Sequence, residues 1–75
     1  MTNRIDFKTF FEENIFYRTP EGKIARFIRK DKFYVDLELA DREEVSYQLA
    51  QVSLVDKLTE KERDEFVLDY LISYL

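Results

Sequence analysis

The run KFYVDLEL, residues 32–39, limits what this chain can fold into more than any other stretch. Phe33, Val35, Leu37 and Leu39 alternate with Tyr34, Asp36 and Glu38, so an extended backbone would carry one apolar and one largely polar face. Successive side chains of a strand point to opposite sides, and a period of two is its signature. A strand with one apolar face cannot bury it alone. The rest of the chain has to supply sheet partners and a cover.

The flanking segments supply the partners. IFYR predicts a first strand, closed by TPEG, with Pro20 second and Gly22 fourth as type I turns favour. KIARFIR predicts a second strand, in which the adjacent Phe27 and Ile28 break alternation and predict a bulge or a strong bend. KDK is a tight turn into the third strand, and ADRE turns the chain into EVSYQL, with Val45, Tyr47 and Leu49 facing inward. LAQVSLVD then predicts one helical turn and a last short strand, Val52 to Val55.

Helices are expected at both ends. Phe7, Phe10, Phe11 and Ile15 fall on one helical face, predicting a helix over about residues 4–13. Asn3 is the expected N-cap, with Asp6 in the first turn and Asn14 leaving in a left-handed conformation. At the other end, TEKE before an apolar run is a capping box, with Thr59 capping and Glu62 reaching back, for a helix over about residues 60–74.

The fold class predicted is α+β, mostly β, in a single domain over residues 1–75. The strand spacing of residues 15–55 resembles a small SH3-like (Tudor-like) five-stranded antiparallel barrel, here flanked by an N-terminal and a C-terminal helix. The resemblance is one of fold shape; it rests on no motif and names no family. The alternative is an open α+β meander with both helices on one face of the sheet.

At 75 residues the chain is near the lower size limit for folding without staples, and it has no cysteine to provide them. It has no histidine either, which removes the usual general base and the commonest transition-metal ligand. Ser46, Ser53 and Ser73 lack the glycine-flanked context of a nucleophile, and one glycine cannot make a phosphate-cradling loop. The carboxylate pairs Glu12–Glu13, Asp36–Glu38 and Glu43–Glu44 read as solvated faces, although Asp36 and Glu38 share a strand face that could hold a hard cation. The expectation is a non-enzyme with no cofactor and no metal. The N-terminal sequence has no apolar run with a cleavage site, and no segment approaches the length of a membrane span, so a soluble, cytoplasmic protein is expected.

Two features point instead to binding. The net charge of −4 divides unevenly: residues 1–33 carry 8 − 5 = +3, and residues 34–75 carry 4 − 11 = −7. Arg18, Lys23, Arg26, Arg29, Lys30 and Lys32 surround the predicted second hairpin, together with Phe27, Phe33 and Tyr34. Cations beside aromatic rings suit phosphates and bases, so Arg26, Arg29, Lys30, Lys32 and Tyr34 form a candidate nucleic-acid or acidic-partner site. An acidic chain repels nucleic acid at long range, which favours a protein partner or a solubilising sheet edge.

The second feature is the C-terminal helix. Phe66, Val67, Tyr70, Leu71 and Tyr74 form a stripe for docking on the sheet or on the first helix, and Leu68, Ile72 and Leu75 lie on a second flank. A helix apolar nearly all round is buried on more than one side. The second flank therefore calls for the N-terminal helix, a second copy of the chain or another protein. The function expected is a non-catalytic interaction module or small regulatory adaptor, self-associating in one form, with a nucleic-acid-binding regulator as the alternative. A mimic that occupies the nucleic-acid site of a host enzyme is a weaker third reading, because Lys57, Lys61 and Arg63 interrupt the acidic run it would need.

Overall fold

The computed structural model describes residues 6–73. Helix α1, Phe7–Glu13, precedes strands β1 Phe16–Arg18, β2 Ile24–Lys30, β3 Tyr34–Leu39 and β4 Glu44–Gln48. A 3-10 turn over Leu49–Gln51 leads to β5, Ser53–Val55, and helix α2, Glu60–Ile72, follows. Every strand pairing is antiparallel, in the order β4-β3-β2-β1-β5.

The molecule is a small α+β domain with a five-stranded open sheet and two helices. Among the described residues no ladder joins β4 to β5, so the expected barrel gives way to an open sheet with two edges. β1 and β5 are three residues long, which leaves little strand with which to reach the opposite edge.

The sheet face away from the helices is buried as well. Ala25, Val35 and Leu37 are fully buried, and they pack with Tyr17, Phe27, Leu39, Val45, Tyr47, Leu49 and Val52, none of them helical residues of α1 or α2. Leu49 of the 3-10 turn and Val52 after it contribute to the cover of this face. β2 is irregular there: its register against β3 shifts between Phe27 and Arg29, where alternation breaks in the sequence.

The other face carries both helices. Phe16 from β1 joins Leu58 and the α2 residues Phe66 and Tyr70 in a buried cluster, with Phe7, Phe10 and Phe11 of α1 packed against it. The rings meet mostly edge to face or tilted; Phe16 and Phe66, for example, have centroids 5.6 Å apart at 86°. That arrangement suits the ring quadrupoles and contributes beyond area burial. Much of the aromatic surplus in the sequence is spent here.

Both helix starts are decided by side-chain oxygens. Asp6, not Asn3, caps α1: its Oδ1 accepts from the N–H groups of Lys8 (3.1 Å) and Thr9 (3.3 Å). Asn3 lies outside the described residues. Asn14 is extended rather than left-handed, and its side-chain amide donates to the Phe10 carbonyl at 2.9 Å, which satisfies the helix end without a positive φ. At α2 the expected box is present. Thr59 Oγ1 accepts from Glu62 N–H at 3.1 Å, and Glu62 Oε1 accepts from Thr59 N–H at 3.0 Å.

The Glu62 carboxylate also pairs with Arg18. The Thr59 backbone N–H first, and then Arg18, hold its pKa below the ordinary carboxylate value. A group depressed on folding stabilises the protein above its unfolded pKa, and the contribution is lost as pH falls through the folded value. The urea midpoint is therefore expected to drop on acidification through the carboxylate range. Glu62→Gln should flatten that dependence, with Asp6 and Asp31 keeping a residual slope, since backbone or side-chain donors lower both.

The β1–β2 and β3–β4 turns share one geometry. Gly22 N–H donates to Thr19 C=O and Arg42 N–H to Leu39 C=O, each at 2.9 Å. Gly22 has φ +83° and Arg42 has φ +72°. The conformation is ordinary for glycine and costs an arginine about 1 kcal/mol or more.

Candidate interaction surfaces

The basic hairpin is largely neutralised within the chain. Arg26 lies directly across from Glu38 in the sheet, and its Nε donates to Glu38 Oε1 at 3.0 Å. Arg29 lies across from Asp36, which it meets at 2.8 Å, and it reaches Glu44 on β4 at 3.0 Å. Antiparallel register thus brings cations from the basic half of the sequence onto carboxylates from the acidic half. The carboxylates considered for a hard cation, Asp36 and Glu38, each face a guanidinium. Lys30 and Lys32, at the tip, have no ion pair among the described residues.

The tip has its own architecture. Asp31 Oδ1 accepts from the N–H groups of Phe33 (2.9 Å) and Tyr34 (2.8 Å), and those bonds hold its carboxyl below the ordinary range. Phe33, which the alternation groups with Val35, lies in the turn, 66% exposed, because the strand begins only at Tyr34. Tyr34, Gln48, Leu49 and Ala50 join Phe33 and Lys32 around an open hollow of about 440 Å³.

The second surface is the exposed flank of α2. Phe66 and Tyr70 are buried, whereas Leu68 is 60% and Ile72 54% exposed. Leu71 was expected in the docking stripe and is exposed as well; Leu75 and Tyr74 lie outside the described residues. α1 does not cover this flank. Its rings meet the side of α2 that already faces the sheet, with Phe10 centroids 6.1 Å from Phe66 and 5.4 Å from Tyr70.

One residue that sequence reading passed over holds the two ends of the fold together. Arg42, in the β3–β4 turn, stacks its guanidinium 3.6 Å from the Tyr70 ring centroid and donates to Ser73 Oγ at 3.0 Å and Tyr70 C=O at 3.3 Å. It satisfies a late α2 carbonyl with a cation, as helix C-termini favour. Burial, then the Glu38 carboxylate, push the Tyr70 hydroxyl above its ordinary pKa. The available signal was the parallel between the TPEG and LADR turns, which places Arg42 where Gly22 stands.

Among the described residues no cluster of three or more acidic, histidine or cysteine side chains could hold a metal ion. No described helix is long and apolar enough to cross a membrane. Compared with protein-family models, curated proteins and solved structures, the chain matches none.

Proposed function

We propose that this chain is a non-catalytic interaction module whose principal contact is the α2 flank of Leu68, Leu71 and Ile72. The observation that supports the reading is their exposure on a helix whose opposite side is fully used. Leu68, Leu71 and Ile72 fall at the i, i+3 and i+4 spacing by which one helix packs along another. In the self-associating form, the same stripe on a second copy supplies the cover about a twofold axis, since such an interface joins one patch to itself.

A cytoplasmic regulatory or adaptor role belongs to the same proposal. So does the finer fold assignment: β5-β1-β2-β3-β4 with a 3-10 turn before β5 is the order and punctuation of an SH3-like barrel, here left open. The nucleic-acid alternative draws less support from this arrangement, because Arg26 and Arg29, the best phosphate ligands of the hairpin, already hold carboxylates.

Multi-angle light scattering of the full chain tests the self-associating form. The wild type is expected to run as a concentration-dependent dimer, and Leu68→Asp with Ile72→Asp as a monomer with unchanged circular dichroism. Both side chains are exposed, so the substitutions should cost little stability. A wild type that stays monomeric at high concentration removes this form.

A further inference from the structure

We propose that the hollow at the tip of the β2–β3 hairpin is a docking site for an apolar side chain carried by an acidic peptide segment of a partner protein. This surface is separate from the α2 flank. β3 runs from the hollow, at Tyr34, to Leu39, beside the turn whose Arg42 holds the end of α2.

Three observations support it. First, about 440 Å³ falls within the range of sites that take small groups, and Phe33, Tyr34, Leu49 and Ala50 make the lining mainly apolar. Second, the exposed rings do not belong to a loose loop. The Asp31 carboxylate fixes the Phe33 and Tyr34 amides, Phe33 C=O accepts from Leu49 N–H at 2.8 Å, and Gln51 Oε1 accepts from Gln48 N–H at 3.0 Å. A surface held in place before binding loses less entropy on binding. Third, the rim carries a cation: Lys32 lines the hollow, and its Nζ lies 5.7 Å from the Phe33 ring centroid, with Lys30 at the adjoining end of β2. The one carboxylate within the turn, Asp31, is engaged by its own backbone.

These features favour a peptide over a nucleic acid. A nucleic-acid strand needs a track of cations, and two lysines beside the paired Arg29, Asp36 and Glu44 do not make one. One open hollow with charge at its edge matches one apolar side chain with acidic neighbours.

The test is a titration of the ¹⁵N-labelled full chain with a short poly-glutamate peptide bearing one central phenylalanine. Saturable amide shifts are expected at Phe33, Tyr34, Gln48, Leu49 and Ala50. Replacing the glutamates with glutamine, or the phenylalanine with glycine, should weaken binding about tenfold or more. Phe33→Ala, and Lys30→Glu with Lys32→Glu, should do the same while the remaining resonances stay in place. Leu68→Asp with Ile72→Asp should bind the peptide as the wild type does, which separates this site from the α2 contact. The proposal is overturned by an absence of shifts up to millimolar peptide, by shifts centred elsewhere, or by undiminished binding to Phe33→Ala. Tighter binding of oligothymidylate at the same residues would overturn it in favour of a nucleic-acid site.

Discussion

Phe66→Ala is expected to bring this protein to the edge of unfolding. Phe66 is 3% exposed, and its ring meets those of Phe10, Phe11, Phe16 and Tyr70. Truncating a buried phenylalanine costs about 3–5 kcal/mol, through lost transfer energy and the cavity left behind. A domain of 75 residues has roughly 4–11 kcal/mol to lose, at about 0.05–0.15 kcal/mol per residue. The cavity would lie where α1, α2 and β1 meet, with Ile24 of β2, Val55 of β5 and Leu58 also packed around the cluster. Urea denaturation followed by circular dichroism measures the effect. A loss below about 1 kcal/mol would mean that the helices contribute little to the cooperative unit. The contrast with Leu68, two residues away on the same helix and expected to tolerate aspartate, is the sharpest local check on how α2 is oriented.

Leu37→Ala is expected to cost about 2–5 kcal/mol by the same mechanism on the opposite face of the sheet. Leu37 is fully buried between Phe27 on β2 and Val45 on β4, in the middle of the ladder. The two buried clusters share no member, so their perturbations should be independent. Phe66→Leu and Leu37→Val, at roughly 1 kcal/mol each, are expected to add within about 0.5 kcal/mol. Marked non-additivity would show that the sheet transmits strain from one face to the other, and that the two layers unfold through a shared packing defect.

The charge asymmetry acquires a different meaning in three dimensions. Along the sequence it resembles a dipole with a basic end free to meet a partner. In the fold the halves interleave: sheet register brings Arg26 to Glu38 and Arg29 to Asp36 and Glu44, and the docking of α2 brings Glu62 to Arg18. Such pairs, partly exposed, add little stability each. Their main consequence is to leave the cationic character of the hairpin to its lysines, and so to move the candidate site from the strand to its tip.

The strand and helix assignments were legible because they depend on near neighbours. Alternation marked β3, the Phe27–Ile28 break marked the irregularity in β2, and Thr59 with Glu62 marked the start of α2. Period and capping are properties of a few consecutive residues, so a short window of sequence carries them. Three matters were decided only by the tertiary structure. The sheet stayed open, because edge pairing depends on how far short end strands can reach. The flank of Leu68 and Ile72 stayed uncovered, because α1 settled on the aromatic side of α2, where its own phenylalanines find more partners. Arg42 became the tie between turn and helix because its left-handed backbone aims a cation at the end of α2, a distance of 28 residues from Arg42 to Tyr70 that no local pattern encodes.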